Sequence, residues 1–362
     1  MHDIGWVTDC DTMRYHHHMP VEENTNYILM SYAYWKRTGD KSLIVKHKDT
    51  IVKALRFLEL SDTTGNGVPD EGMSNTIDDA SPALQFGKEQ VYLAVKTLAA
   101  FWASCEMLEG LVESDQLAKY FLRARKILQR LHEQGWKDDH FVTVLDPAYE
   151  GVYDAWSQEF IPGPLPGWDA AHIYTTNGLV LLDMVGASLG LDHRKICQDL
   201  QVALERCLVK YGCCHSDYFS AQEDAAGEGG NIMGNKRGWI SMNVARDITA
   251  FYRGLDFSHL CERYWEFQVV TNTQGPHLFF ESFNGNNLMT YPRGVAIFGY
   301  YDAMAGLFID VPGRRLGLQP LHSKVKVPVL LYADWDKGIC PMVENGELRD
   351  PHGLLPDWVS PL

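Results

Sequence analysis

The sequence predicts an all-α protein, an (α/α) barrel or toroid of antiparallel helical hairpins with a short β element near its C-terminus. Three observations carry that prediction. Apolar residues recur at spacings of three and four through the first third of the chain. Short connections alternate with these long amphipathic stretches, which stacks the helices as antiparallel pairs. Of the 362 residues, 46% are hydrophobic and 12% aromatic, enough for a large packed core.

The elements follow in order. Val21, Ile28, Tyr32 and Trp35 share one face of a helix that Gly39 stops, and Asp40 can cap the next. That next helix carries Ile44, His47, Ile51, Leu55 and Leu58. After a polar loop, Leu84, Val91, Val95, Leu98, Trp102 and Cys105 form a third stripe, with Ser81 and Pro82 as its cap and first helical residue. Leu117, Phe121, Ala124, Leu128 and Leu131 form a fourth. The stretch from Asp146 to Asp169 is too rich in Gly and Pro for a helix. Helices resume around Asn177–Leu189, Arg194–Tyr211, Trp239–Arg253 and Tyr291–Ala305. The β-branched and aromatic tail from Val325 to Val343 predicts a short hairpin. Nothing reads as a flexible linker, so the expectation is one domain over residues 1–362, with about four to five helical hairpins.

Charge and composition narrow the partners. The formal net charge of −15, from 32 basic and 47 acidic residues, argues against nucleic acid or an anionic membrane. It suits a neutral small molecule or sugar. No apolar run is long enough to predict a membrane-spanning helix. The first residues, MHDIGWVTDCDTMRY, lack the basic segment and apolar core of a signal peptide, which predicts a cytoplasmic protein. The eight cysteines contain no CxxC pair and read as reduced residues, mostly on apolar helix faces. Cys213 and Cys214 alone raise a metal or redox question. Adjacent side chains point different ways, so both are expected in the core.

Several loops carry groups capable of chemistry. In "DTTGNGVPDEG", Asp62, Thr64 and Asn66 followed by Gly67 partly match a calcium-binding loop. Thr64 stands where an acid belongs and Met73 where a bidentate Glu belongs. A plain Gly–Asn turn is therefore expected, with a structural calcium ion as the alternative and no other cofactor. His16, His17 and His18 are consecutive and cannot all face one ion from regular structure. Glu22 and Glu23 lie in the first turn of a helix, where the helix dipole accounts for one of them and the other can face a site. "HIYTTNG" sets Thr175, Thr176 and Asn177 at a helix mouth. In "SNTIDDASP", Asp78 and Asp79 come too early to be capping groups, because Ser81 and Pro82 already occupy those positions.

These blocks, in this order, resemble the catalytic domain of glycoside hydrolase families 52 and 116. "HDIG" at His2 resembles the family's His-Asp-hydrophobic-Gly loop. "YWKRTGD" resembles the end of the following helix, and "DTTGNGVPDEG…NTIDDASP" an Asp-rich turn leading to Thr-x-Asp. "QVYLAVKTLAAF" is similar to the helix behind that acid, and "YTTN" and "TYPRG…YDAMAG" to the last third of the domain. The resemblance implies a barrel of six helical hairpins acting as a retaining β-glucosidase or β-xylosidase on a carbohydrate partner. It implies Asp78 as the general acid/base and Thr76 as a sugar contact. His2, with Asp3 beside it, matches a sugar-binding His, Glu281 a Glu that holds sugar hydroxyls, and Arg293, at an unusual spacing, an Arg of the same region. Thr176 and Asn177 fall in "YTTN" as further substrate contacts.

A retaining glycosidase needs two carboxyl groups roughly 5–5.5 Å apart, one protonating the leaving oxygen and the other attacking the anomeric carbon. In the resembled families the nucleophile is a Glu on a segment ahead of the His-Asp loop. Since His2 is the second residue, the expectation is a chain that begins inside the catalytic domain, an incomplete barrel without that Glu. Two alternatives stay open: a degenerate barrel that binds sugar without turnover, and an inverting or amide hydrolase that pairs Asp78 with Glu22 or Glu23.

Overall fold

The structure, a computed structural model, describes residues 19–73, 77, 81–147, 151–154, 159–219, 238–271, 282–283 and 292–359. Side chains are described for all of these except 85–86, 152–154, 159, 219, 270–271 and 292–294. It is a mostly-α toroid with few, short strands, as the periodicity predicts.

Five inner segments run side by side among the described residues. They are α1 (Pro20–Thr38), α5 (Val91–Met107), a 3-10 turn Thr175–Leu179 leading into α7 (Val180–Asp183), α9 (Ile240–Phe251), and a 3-10 turn Pro292–Phe298 leading into α11 (Gly299–Met304). Each packs on the next. Outside them lie α2 (Ser42–Lys46) and α3 (Lys48–Leu60), α6 (Ser114–Gln134), α8 (His193–Cys207) and α10 (Leu260–Thr271), with the short α4 (Pro82–Phe86) preceding α5.

Burial separates the two layers. Nearly every residue of α5 from Val91 to Ser104 is buried, as in a helix covered on all sides. In α6 only Tyr120, Ala124, Ile127 and Leu131 are buried, one stripe at helical spacing.

The helix ends follow the sequence signals. Gly39 ends α1 in the left-handed region at φ 79°, its N–H bonded to the Trp35 carbonyl. Asp40 accepts the Ser42 N–H at 2.8 Å, and Ser81 caps α4 by accepting the Leu84 N–H at 3.3 Å. The third stripe is divided, because Gly87 is extended (φ −61°, ψ 141°) and splits the predicted helix into α4 and α5. Further differences are that the stretch from Asn177 is only a 3-10 turn and one helical turn, and that α10 lies in a region with no predicted helix.

Four small β elements complete the fold among the described residues. β1 (Trp136–Lys137) pairs with β2 (His140–Phe141). Inside the stretch from Asp146 to Asp169, read as irregular, β3 (Gly151–Asp154) pairs with β4 (Glu159–Pro162). β5 (Phe308–Asp310) pairs with β6 (Arg315–Gly317). β7 (Lys326–Pro328), β8 (Met342–Glu344) and β9 (Glu347–Arg349) form the C-terminal sheet, which contains the predicted hairpin. These last strands enclose a second, smaller core around Leu307, Ile309, Val327, Val343 and Leu348.

The two ends of the toroid differ. At one end the helices are joined through 39–41, 108–113, 184–192 and 252–259. At the other lie the N-termini of the inner segments and the described parts of the longer connections, 61–73, 81–90, 135–147, 159–174, 208–219 and 238–239. Every inner segment after α1 receives its N-terminus from one of these longer connections. Long loops held on a rigid helical scaffold mark the end where a site belongs. Among the described residues no helix is long and apolar enough to cross a membrane.

Candidate functional site

Glu22 stands in the first turn of α1, where Pro20 pre-sets the helix and the dipole favours a carboxylate. The buried stripe of α1 runs through Val21, Glu22, Thr25, Ile28, Leu29 and Tyr32, so Glu22 is carried inward with the apolar residues. Tyr92 donates its hydroxyl to Glu22 Oε1 at 2.6 Å, and Lys96 Nζ lies 3.1 Å from the same oxygen. Tyr92 and Lys96 are one turn apart on α5, and Lys96 also donates to the Tyr92 hydroxyl at 3.1 Å. The side chains of Lys96 and Glu22 are 8% and 4% exposed, so this charge pair is almost wholly out of water. Its partners sit on two different inner helices.

The polar floor continues round the ring through aromatic contacts. Tyr92 meets Tyr174 edge-on at 5.6 Å between ring centroids. Tyr174 stacks on His215 at 5.7 Å and is hydrogen-bonded to its Nδ1. His215 in turn meets Trp239, the residue that opens α9, at 5.5 Å. Glu22, Tyr92, Tyr174, His215 and Trp239 are all nearly fully buried. They line the end that carries the long connections.

Behind this floor lies a second buried polar group. His172 Nδ1 accepts the Tyr174 N–H at 3.2 Å, and its Nε2 lies 3.4 Å from Thr175 Oγ1. Burial pushes the His172 imidazole down to about 4. Asp199, on α8, accepts the Phe141 N–H at 2.8 Å, and burial pushes its carboxyl up to about 7. The Phe141 amide, His140 and Thr175 offset part of that rise.

The sequence-predicted residues fall in different places. His2, Asp3, Thr76, Asp78, Glu281 and the His16–His18 run lie outside the described residues, and Arg293 is described only as backbone in the turn before α11. Ile77 and Ser81, which bracket Asp78 in sequence, are both fully buried. Glu22 and Glu23 separate cleanly, with Glu22 buried and Glu23 exposed to solvent. Thr176 is turned into the contact with α9, where it accepts the Thr249 hydroxyl at 2.9 Å. Asn177 donates to Met242 Sδ at 3.4 Å. Both therefore bind α9 at the inner seam.

The Asp62 loop is closed by protein donors. Asp62 Oδ2 accepts the Gly67 N–H at 2.8 Å and Arg123 Nη1 at 2.5 Å, and Thr64 reaches its other oxygen at 3.4 Å. Asn66 donates to Glu89 at 2.5 Å, while Asp70 receives Thr63 through both backbone and hydroxyl. A guanidinium thus faces Asp62 where a cation would sit. Among the described residues no group of three or more His, Cys, Asp or Glu side chains is arranged to hold a metal ion. Cys213 and Cys214 are buried free thiols, and Cys213 receives Arg246 Nη1 at 2.7 Å.

Sequence reasoning missed Tyr92, Lys96, Tyr174, His215 and Trp239 as members of one floor. One signal was there to find. Lys96 is the lone charge in "QVYLAVKTLAAF", and a lysine inside an otherwise buried helix requires a counter-ion.

Residues 1–161 match the family described as "Glutaminase A six helical-hairpin domain". Among solved structures, one described as "Sialidase" superposes with a TM-score of 0.54 at 12% sequence identity, over 89% of this chain. This chain spans 29% of the length of that one. No curated protein matches the sequence. Both similarities agree with the architecture described above, a mostly-α toroid of helical hairpins.

Proposed function

We propose that this chain provides the sugar-binding end of a glycoside hydrolase of the α/α-toroid type, acting on β-linked glucosides or xylosides. Asp78 serves as the general acid/base and Glu22 as a charged carboxylate of the same site. The observation that carries this reading is the Glu22–Lys96 pair, a buried ion pair between the first turn of α1 and the inner helix α5. A glycosidase site needs two carboxyl groups in contrasting states, one protonated to release the aglycone and one charged. An ammonium against Glu22 favours its charged form, which fits a base, a nucleophile or a holder of sugar hydroxyls and not the acid. Asp78, in the block resembling Thr-x-Asp, takes the acid role. The order of the other blocks supports the same family of reactions.

The test is hydrolysis of aryl β-D-glucoside and β-D-xyloside by the wild-type chain, Asp78→Asn and Glu22→Gln. Turnover that falls at least a hundredfold in both variants supports the reading, in line with the usual loss on removing a general acid or base. Sugar binding without turnover leaves a binding barrel, and neither binding nor turnover overturns the proposal.

A second reading rests on the glutaminase description of the matched family. The same two carboxyl groups can serve amide hydrolysis, with Glu22 activating water and Asp78 protonating the leaving nitrogen. Ammonia release from L-glutamine by the same three proteins separates the two readings.

A further inference from the structure

A cavity of about 190 Å3 lies where α7 and α9 end, on the side of the toroid opposite the N-termini of the inner segments. One wall is aliphatic, formed by Leu179, Leu182, Leu189, Leu191 and Ile196. The other carries an ion pair. Asp183 is the last residue of α7 and Arg253 follows the end of α9. Arg253 Nη1 lies 2.6 Å from Asp183 Oδ2, and its Nη2 3.1 Å from Asp183 Oδ1. The two side chains are only 9% and 12% exposed. The pair does not exhaust its own hydrogen-bonding capacity. A guanidinium has five N–H groups, and each carboxylate oxygen accepts at two positions. Arg253 gives two N–H groups to Asp183 and a third to the Thr249 carbonyl at 2.7 Å. Among the described residues its Nε has no acceptor, and each Asp183 oxygen accepts one hydrogen bond. Burial raises the Asp183 carboxyl above its ordinary value even against the opposing guanidinium, so a further positive group beside it is favourable.

We propose that this cavity binds a free α-amino acid with an aliphatic side chain, of the size of valine or leucine. Its ammonium meets Asp183, its carboxylate meets Arg253, and its side chain lies on the leucine wall. The charge pattern selects this class. A simple anion would face Asp183 and a simple cation would face Arg253, whereas a zwitterion offers each the opposite sign. A plain hydrocarbon would cut the remaining polar capacity of the pair off from water without replacing it. The size agrees, since the cavity is smaller than the roughly 300–1,000 Å3 usual for drug-sized ligands. This inference does not rest on the chemistry proposed for Glu22 and Asp78. An ion pair that only fastens α7 to α9 predicts no binding here.

Titration calorimetry of the full chain with L-leucine tests it, beside 4-methylpentanoate, which lacks the ammonium, and 3-methylbutylamine, which lacks the carboxylate. L-Leucine is expected to bind at one site with a Kd of about 1 mM or below, and each truncated analogue at least about tenfold more weakly. Ala187 also lines the cavity, so Ala187→Leu narrows it while leaving the ion pair in place, and should weaken L-leucine at least tenfold. Arg253→Lys, which keeps the charge but loses the planar fork, gives a second variant should Ala187→Leu fail to fold. Glu22→Gln should bind L-leucine as the wild type does, and loss of binding there would place the amino acid at the other end and overturn the proposal. No saturable heat up to about 20 mM L-leucine overturns it as well. So does an analogue that binds as tightly as L-leucine, or a folded cavity variant that binds as the wild type does.

Discussion

Arg37 and Asp302 join the first inner helix to the last: the guanidinium Nη2 of Arg37, in the final turn of α1, lies 2.6 Å from Asp302 Oδ2 on α11. Both side chains are 12% exposed, and Tyr332 donates its hydroxyl to the Arg37 carbonyl at 3.1 Å, so the C-terminal segment is fastened at the same point. The link ties together residues far apart in sequence, which places its energy in tertiary structure and none of it in either helix alone.

Asp302→Ala leaves Arg37 with a mostly desolvated charge and no carboxylate. The expected loss is about 3 kcal/mol, the usual result of removing one partner of a buried pair. Urea unfolding followed by far-UV circular dichroism measures it. The double variant Arg37→Met/Asp302→Leu should recover most of the loss, because two apolar side chains carry no desolvation penalty. A double variant as unstable as the single one would show that shape, not charge, carries the contact between α1 and α11.

Asp247 presents a stricter case. Its Oδ1 receives Arg246 Nη2 at 2.6 Å and its Oδ2 receives the hydroxyls of Tyr264 and Tyr300, each at 2.7 Å. Neither Arg246 nor Asp247 has exposed surface. Asp247→Asn leaves a buried guanidinium uncompensated and should cost about 3–5 kcal/mol. The neighbouring Cys213 offers an independent readout. Burial pushes its thiol up to about 11, so it should resist alkylation in the native chain and react once this region opens. Labelling of Cys213 is expected to be faster in Asp247→Asn, and equal rates in the two proteins would contradict the assigned energetics.

Glu22 and Glu23 mark how far the sequence can be read. Both sit in the first turn of α1, and the dipole argument treats them alike. The phase of the helix against α5 divides them, and that phase depends on side chains seventy residues further on, Tyr92 and Lys96. The expected consequence is that Glu22→Gln abolishes sugar binding or turnover while Glu23→Gln stays within about twofold of wild type, as exposed substitutions usually do. Titration calorimetry with glucose or xylose, alongside the hydrolysis assay, checks both variants.

The same logic explains what else was and was not legible. Helices α1, α6 and α8 could be read because each repeats its buried apolar residues at helical spacing. Helix α10 could not, because Trp265 and Val269 are exposed while Tyr264 and Phe267 beside them are buried, which blurs the stripe. Gly87 divided one predicted helix because its extended backbone redirects the chain between α4 and α5. The floor from Glu22 to Trp239 was invisible for a different reason. It is assembled from single residues on separate inner segments, and no local pattern records their register.

His172 and Asp199 make opposing contributions to stability against pH. Asp199 has a folded pKa near 7, above its unfolded value near 4, so the native state holds the extra proton between them. Stability from this group falls as pH rises through that window. His172 has a folded pKa near 4, below the ordinary imidazole value of 6.5, so the unfolded state holds the extra proton. Its contribution rises with pH over the same range. From about pH 4 to about 6.5 the two slopes largely cancel in the wild type. Asp199→Asn, which keeps an acceptor for the Phe141 N–H, should uncover the histidine and make stability climb across that interval. His172→Asn should uncover the aspartate and make stability fall, by an amount on the order of 3–4 kcal/mol for a shift of roughly three units. Denaturation midpoints measured at pH values spanning the interval test both signs. Parallel curves for the two variants would mean that neither group carries the burial penalty assigned to it.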